Sequence, residues 1–381
     1  MQTPRVTTDT PGGATPLDTR RARAGRGAAG TATAPAGKGA SASFSELLQR
    51  VKAEGLLDLT PRWYYGRISV NTAMIVGGLA AFALIGDSWW QLLVAAWMGL
   101  CGAQSAFMWH EAGHKAMFRS RWTADVVGYF HANLVNGVSY GWWVNHHNRH
   151  HSHPNHLDLD PDIGRRTAIF DIKQYATRTG VQRFVVRYQS VLFFVLLTLE
   201  AFKMNRTAVR AIVKGDTKRP VLETTLLVVR AAFYLSLVFW LLPPGLAVAF
   251  LLVQHAVLGV YFGMIFAPNH KGMEIRDGEE ETLDWLERQV LTSRNITPSP
   301  LIDFLYGGLN YQIEHHLFPA MPQKHLARAR VLTMEYCAER GIPYVEMGFW
   351  ASYKEVAGFL HEVSAPVRRG EGDAAAAARL A

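Results

Sequence analysis

Cysteine is nearly absent: Cys101 and Cys337 are the two thiols in 381 residues, too few for a disulfide framework, which excludes a cross-linked secreted scaffold. Cys101 sits inside an apolar run, where a thiol behaves as a small hydrophobe. Charge is scarce as well. Asp, Glu, Lys and Arg make up 18% of the chain, against roughly 25% in soluble domains, and apolar residues make up 49%. Water is therefore not the only solvent expected, and an intrinsically disordered protein is excluded. Acidic residues are outnumbered, 31 against 39 basic, for a net charge of +8. That excess suits anionic lipid headgroups as well as nucleic acid, and the position of the cations outside the apolar runs favours membrane lipids, with no nucleic-acid partner.

Residues 1–43 lack hydrophobic periodicity and are expected to be a disordered tail. Arg20-Arg21 is followed by Arg23, Arg26 and glycines where an export signal needs an apolar core, and Asp9 and Asp18 interrupt any transit-peptide pattern. Four apolar runs follow, at about 70–86, 88–109, 222–242 and 245–267, each near the length that crosses hydrocarbon. Gly86-Asp87-Ser88 and Pro243-Pro244-Gly245 join them into two hairpins. Arg230 is the one Lys or Arg within these runs and neither hairpin tip carries a cation. The positive-inside rule thus predicts a multi-pass protein with both termini cytoplasmic. A fifth apolar run, about 190–202, is too short to span, carries Glu200, and is expected to be an interfacial or re-entrant helix. The cations that follow it (Lys203, Arg206, Arg210, Lys214, Lys218, Arg219) suit headgroups. Trp63-Tyr64-Tyr65, Trp89-Trp90 and Trp142-Trp143 are expected to be interfacial anchors. Residues 44–363 then form one membrane domain, and 364–381 a flexible C-terminal tail.

Histidine is where the sequence is rich. Nine of fifteen histidines fall between Trp109 and Leu157. Isolated histidines such as His131, His255, His325 and His361 read as ordinary core residues, but clusters do not. His110-Glu111-Ala112-Gly113-His114 continues the second apolar run, and its i, i+4 histidines share one helix face. It matches the H-E-x-x-H of zinc peptidases, with Glu111 as general base. His147, His150 and His151 form an H-x-x-H-H unit, in which adjacent imidazoles point about 100° apart and can serve two metals. His146 would replace His147 if the helix turned by one residue. Asn269-His270 follows the fourth apolar run, and Gln312-Ile313-Glu314-His315-His316 completes the set. A zinc site needs three protein ligands. His110, His114, His147, His150, His151, His270, His315 and His316, with an oxygen from Gln312 or Asn269, suffice for two metals, and number and arrangement favour iron.

With these residues in view the chain resembles the integral-membrane fatty acid desaturases, whose three histidine boxes it carries in order. Gln312-Ile313-Glu314-His315-His316-Leu317-Phe318-Pro319 resembles the third box of the front-end and acyl-lipid branch, in which glutamine replaces the first histidine. Trp142-Trp143 before the second box and Pro154-Asn155 after it point the same way. The likeness runs from about Trp63 to Ala329. It implies an all-α membrane protein of four transmembrane helices in two hairpins, with a cytoplasmic helical cap holding a di-iron centre. It also implies formation of a cis double bond in a fatty acyl substrate, linked to coenzyme A, a carrier protein or a lipid, with O2 as co-substrate and two external electrons. The fused haem domain of many front-end enzymes, with its His-Pro-Gly-Gly motif, has no counterpart here. The expected donor is therefore a separate protein, a ferredoxin or a cytochrome b-type protein with its reductase. Glu111, Asp160, Asp162 and Glu314 are expected to hydrogen-bond the liganding imidazoles and fix their tautomers. Acyl hydroxylation or ketolation on the same centre, the zinc peptidase and a non-enzymatic metal or haem carrier are the competing readings.

Overall fold

The computed structural model describes residues 40–164, 168–278 and 283–380. Most of the expected N-terminal tail lies outside the described residues, but its last four begin helix α1 (Ala40–Ala53). The helix forms because Leu47 and Val51 lie on one face and are wholly buried against Leu286, Val290 and Phe318 of the cap.

Helices α2 (Pro61–Ile85) and α3 (Gln91–Gly113) make the first hairpin, α4 (Arg121–Tyr129) follows, and α5 (Tyr140–Ser152) carries the second histidine cluster. Short helices α6 (Val181–Arg187) and α7 (Gln189–Leu196) lead through a 3-10 turn into α8 (Glu200–Lys214). The second hairpin is α9 (Pro220–Leu241) and α10 (Pro244–His270). The remainder is α11 (Trp285–Leu291), α12 (Pro300–Tyr306), α13 (Gln312–Leu317), α14 (Gln323–Arg340), α15 (Phe349–Val363), α16 (Ala365–Arg368) and α17 (Gly372–Leu380). An otherwise helical fold has one exception among the described residues: β1 (Asn295–Ile296) and β2 (Glu346–Met347) pair in parallel.

Four helices, α2, α3, α9 and α10, are long and apolar enough to cross a membrane. They match the four expected runs to within three residues at the hairpin tips but reach further at the histidine-bearing end. Helix α2 starts nine residues early, with Pro61 at its first position, where no N–H is missed. Helix α3 runs on through the first histidine box. The turn between them closes at Gly86, whose φ of +66° favours glycine, and the Gln91 amide donates to the Phe82 and Gly86 carbonyls at 2.7 and 3.0 Å. Helices α3 and α10 meet through glycine: a Cβ on Gly99 would stand 2.8 Å from the Gln254 carbonyl. Pro268 in α10 cannot bond the Met264 carbonyl, and Tyr353 of α15 donates its hydroxyl there instead, at 2.5 Å.

The run at 190–202 lies within one arm of a bent pair: the axes of Val181–Arg187 and Gln189–Lys214 differ by 112°, with the bend just before the run. Its second arm extends to Lys214 because Ala201, Ala208 and Ala211 recur on one buried face. Residues 364–381 were expected to be a flexible tail, yet α16 and α17 are packed helices. Val367 and Ala376 are buried with Tyr175 and Val186, and Asp373 accepts a two-point ion pair from Arg183 at 2.7 and 2.9 Å. Alanine repeats read as tail in the sequence, but small side chains also suit close helix packing.

Candidate metal centre

Four elements deliver the histidines to one place. The last turn of α3 brings His110 and, at its C-cap, His114. Helix α5 starts at Ser139, whose hydroxyl accepts the Trp142 N–H at 3.2 Å, and its periodicity turns His147, His150 and His151 inward. Helix α10 ends on His270, and α13 supplies His315 and His316. All of these but His114 are buried, and His114 is half-buried with its Nε2 shielded.

The imidazoles fall into two groups whose ligand nitrogens lie within 4.8 Å of one another: His110, His114, His147 and His315 in one, and His150, His270 and His316 in the other. His151 joins them, its Nε2 3.0 Å from that of His147 and its ring stacked 4.2 Å from His316. Gln312 lies beside His270, at 3.0 Å. Its oxygen accepts from Asn269 Nδ2 at 2.8 Å, so the amide nitrogen faces the histidine; Asn269 also donates to the Leu309 carbonyl and holds Gln312 without reaching the cluster itself.

Hydrogen bonds on the far side of four of the rings fix their tautomers. His150 Nδ1 faces Asp160 at 3.1 Å, His270 Nδ1 faces the Thr292 carbonyl at 3.0 Å, and His316 Nδ1 faces the Gln289 amide oxygen at 2.9 Å. Acceptors at those positions place the proton on Nδ1 and leave Nε2 with a lone pair. The Nε2 atoms of His150 and His270 stand 3.3 Å apart, and the Gln312 amide nitrogen also meets His270 Nε2, at 3.0 Å. His110 repeats the pattern: its Nδ1 meets Glu111 at 3.1 Å and its Nε2 lies 3.1 Å from that of His147. Nε2 of His114, His315 and His316 is buried with no protein partner among the described residues. Such a set is satisfied by cations, and neutral imidazoles suit transition metals. Burial, with the neighbouring imidazoles adding to it, pushes His114, His147, His151, His315 and His316 well below the usual histidine range, so they are neutral and able to ligate at pH 7. His150 differs: burial pulls it down, but the Asp160 carboxylate outweighs this and holds it above its ordinary value.

The expected supporting carboxylates divide. Glu111 bonds His110 and accepts the Tyr64 hydroxyl at 2.5 Å, so both oxygens are engaged away from the cluster's interior, unlike a peptidase base. Asp160 orients His150 and is itself fixed by the backbone N–H groups of Asn155 and Asp162, each at 2.8 Å. Asp162 bonds His146 at 2.9 Å and lies 3.5 Å from His150. His146 therefore points outward, and His147 is the inward residue. Glu314 does not touch a liganding imidazole; it accepts from Asn295 at 2.8 Å and Tyr344 at 2.9 Å, and burial raises its carboxyl to about 7. Of the expected interfacial aromatics, Trp89 and Trp90 are exposed at the hairpin tip, whereas Trp143 is buried and stacks on His147 at 4.6 Å. Gln289 and Thr292 went unremarked in the sequence; Tyr64, expected as an interfacial anchor, is instead wholly buried, and Asn155, noted only beside the second box, donates its amide to the His270 carbonyl at 2.9 Å. No local spacing marks them, since their partners are distant in the chain.

A small apolar cleft is lined by His110 together with Phe107, Trp109, Trp143, Met204 and Phe262.

A helical scaffold with four membrane-length helices and a buried polyhistidine centre at one end defines a class of membrane metalloenzyme. The family model of fatty acid desaturases matches residues 87–348, and the chain belongs to that family of oxidoreductases. It is 29% identical over 328 residues to the Delta(5) fatty acid desaturase fat-4 of Caenorhabditis elegans, covering 82% of this chain and 72% of that protein. It is 30% identical to a Delta(8)-fatty-acid desaturase of Helianthus annuus (70% of this chain, 60% of the other) and 28% to an Acyl-lipid (9-3)-desaturase of Physcomitrium patens (84% and 62%).

Proposed function

We propose that this acyl desaturase holds two irons in its histidine centre, His110, His114, His147 and His315 around one and His150, His270 and His316 around the other, with His151 between them. The observation that carries this reading is the set of buried Nε2 atoms on His114, His315 and His316 that have no protein partner among the described residues, within one cluster of imidazoles. Bound iron with O2 and two electrons supplies the oxidising power that removes hydrogen from an unactivated methylene, which no side chain provides. The chain's own part is to position and to exclude. Glu111, Asp160, Thr292 and Gln289 fix the tautomers of His110, His150, His270 and His316. The cleft of Phe107, Trp109, Trp143, Met204 and Phe262 accepts the acyl chain, keeps water from the centre, and sets which carbon lies beside His110.

The four apolar helices cross the bilayer, with the centre and both ends of the domain on the cytoplasmic side, as the distribution of cations supports. The acyl group arrives on a lipid, coenzyme A or a carrier protein, and electrons come from a separate donor. The test is fatty acid profiling of cells expressing the wild type and His315→Ala. A new unsaturated acid with the wild type alone is expected. A hydroxylated product, or desaturation that survives the substitution, contradicts the reading.

A further inference from the structure

The metal centre makes no use of the outer face of α8. This helix presents three sectors. Ala201, Ala208 and Ala211 are buried, and Met204 beside them walls the acyl cleft. Phe202, Val209 and Val213 form an exposed apolar stripe, with Val213 82% exposed. Arg206, Arg210 and Lys214 are exposed too; at about 100° per residue they form a row centred roughly 80° around from that stripe. Lys218 and Arg219 extend the row beyond the turn at Gly215. The apolar stripe continues upstream through Val191, Val195 and Leu199, all exposed, and Phe184 and Tyr188 at the bend before them are exposed too. One side against protein, one apolar and one cationic is the partition of a helix lying in a membrane interface, its cations reaching to the headgroups.

Arg230 of α9 adds an independent observation. It is the one cation in the four membrane-length runs, and among the described residues it makes no ion pair and no hydrogen bond; its guanidinium lies 5.1 Å from the Tyr234 ring centroid. It rests against Gly137, about 3.1 Å from where a Cβ would stand, and the Gly137 carbonyl accepts from Asn205 of α8 at 2.9 Å. The arginine thus reaches the level of α8. An arginine in a bilayer seeks an anion.

We propose that α8 lies in the cytoplasmic interface and that Arg206, Arg210 and Lys214 bind the phosphate of an anionic phospholipid. The inference rests on the four-span reading above. Lipid held on the outer face fixes one wall of the acyl cleft, because Met204 is on the inner face of the same helix.

Native mass spectrometry of the full chain, purified in detergent and incubated with equimolar phosphatidylglycerol and phosphatidylcholine, tests this without using catalysis. Failure here is therefore separable from failure of the desaturase reading. The wild type is expected to retain phosphatidylglycerol in roughly fivefold or greater excess. Arg206→Gln/Arg210→Gln/Lys214→Gln should bring the ratio near parity with bound metal unchanged, and Arg206→Lys/Arg210→Lys should keep the excess. If the triple variant does not fold, the wild-type ratio falling as salt rises from 0.1 to 1 M, where the Debye length drops from about 10 to 3 Å, stands in for it. No excess in the wild type, or an excess indifferent to both the substitutions and salt, overturns the proposal.

Discussion

At the scale of single residues, what matters is which atom of each imidazole carries the proton. Tyr64 and Glu111 hold His110 from behind, so Glu111→Gln or Tyr64→Phe should weaken metal binding by roughly 10- to 100-fold without abolishing it. Competition against a graded chelator measures this, and a complete loss of activity with full metal occupancy would instead mark Glu111 as a base. His131 offers a separate check, remote from the centre. It is buried, its Nδ1 lies 2.7 Å from Ser105 Oγ, and burial pushes it down to about 4. A histidine with a lowered folded-state pKa stays neutral in the fold while the unfolded chain takes up a proton. Stability is therefore fully present above the unfolded value near 6.5 and lost as pH falls toward 4. Between pH 6.5 and 5 the loss from this one residue is about 2 kcal/mol. His131→Gln should show a correspondingly shallower fall in thermal midpoint over that range; equal slopes contradict the assignment. The convergence of the histidines on one place was legible because four clusters of one rare residue type stand out in the sequence. The outward turn of His146 and the detachment of Glu314 were not, since they depend on which face of a short helix meets its neighbour.

At the scale of elements, close approach is the governing fact. A Cβ on Gly259 would stand 2.4 Å from the Leu197 carbonyl and 3.0 Å from the Ala201 nitrogen, and one on Gly99 equally crowds α10. Gly259→Ala or Gly99→Ala must push backbone aside, with an expected cost of about 1–3 kcal/mol seen as a lower melting midpoint in detergent. Gly77→Ala, with nothing within 4 Å of its Cβ, should change little by comparison. Helix α8 also carries Met204 into the acyl cleft, so Met204→Trp should shorten the accepted chain or move the double bond while leaving metal content intact. Product analysis by gas chromatography decides it, and an unchanged product spectrum removes Met204 from the cleft wall. Apolar run length foretold the four long helices well, because crossing hydrocarbon constrains length and composition together. It foretold their extensions at the histidine-bearing end poorly, since there the helix is held by packing and not by solvent. The C-terminal helices were missed for the same reason: alanine-rich sequence carries little apolar signal until a partner such as Tyr175 is placed against it.

At the scale of the whole molecule, the fold solves one problem: it brings histidines from positions 110 to 316 to a single buried point at one end of an apolar bundle. The two long hairpin helices that return to that end, α3 and α10, each finish on a histidine, and the cap between and after them closes the centre from above. The histidine boxes, the two hairpins and the family resemblance made this architecture readable from sequence. The cleft required the structure, because it is made by residues that are distant in the chain. Elemental analysis of the detergent-purified wild type beside His316→Ala bears most directly on the central claim. The account predicts about two irons per chain in the wild type and a clear loss in the variant, given ligands sufficient for two metals. A single zinc held by His110 and His114, unchanged when His316 is replaced, would contradict it.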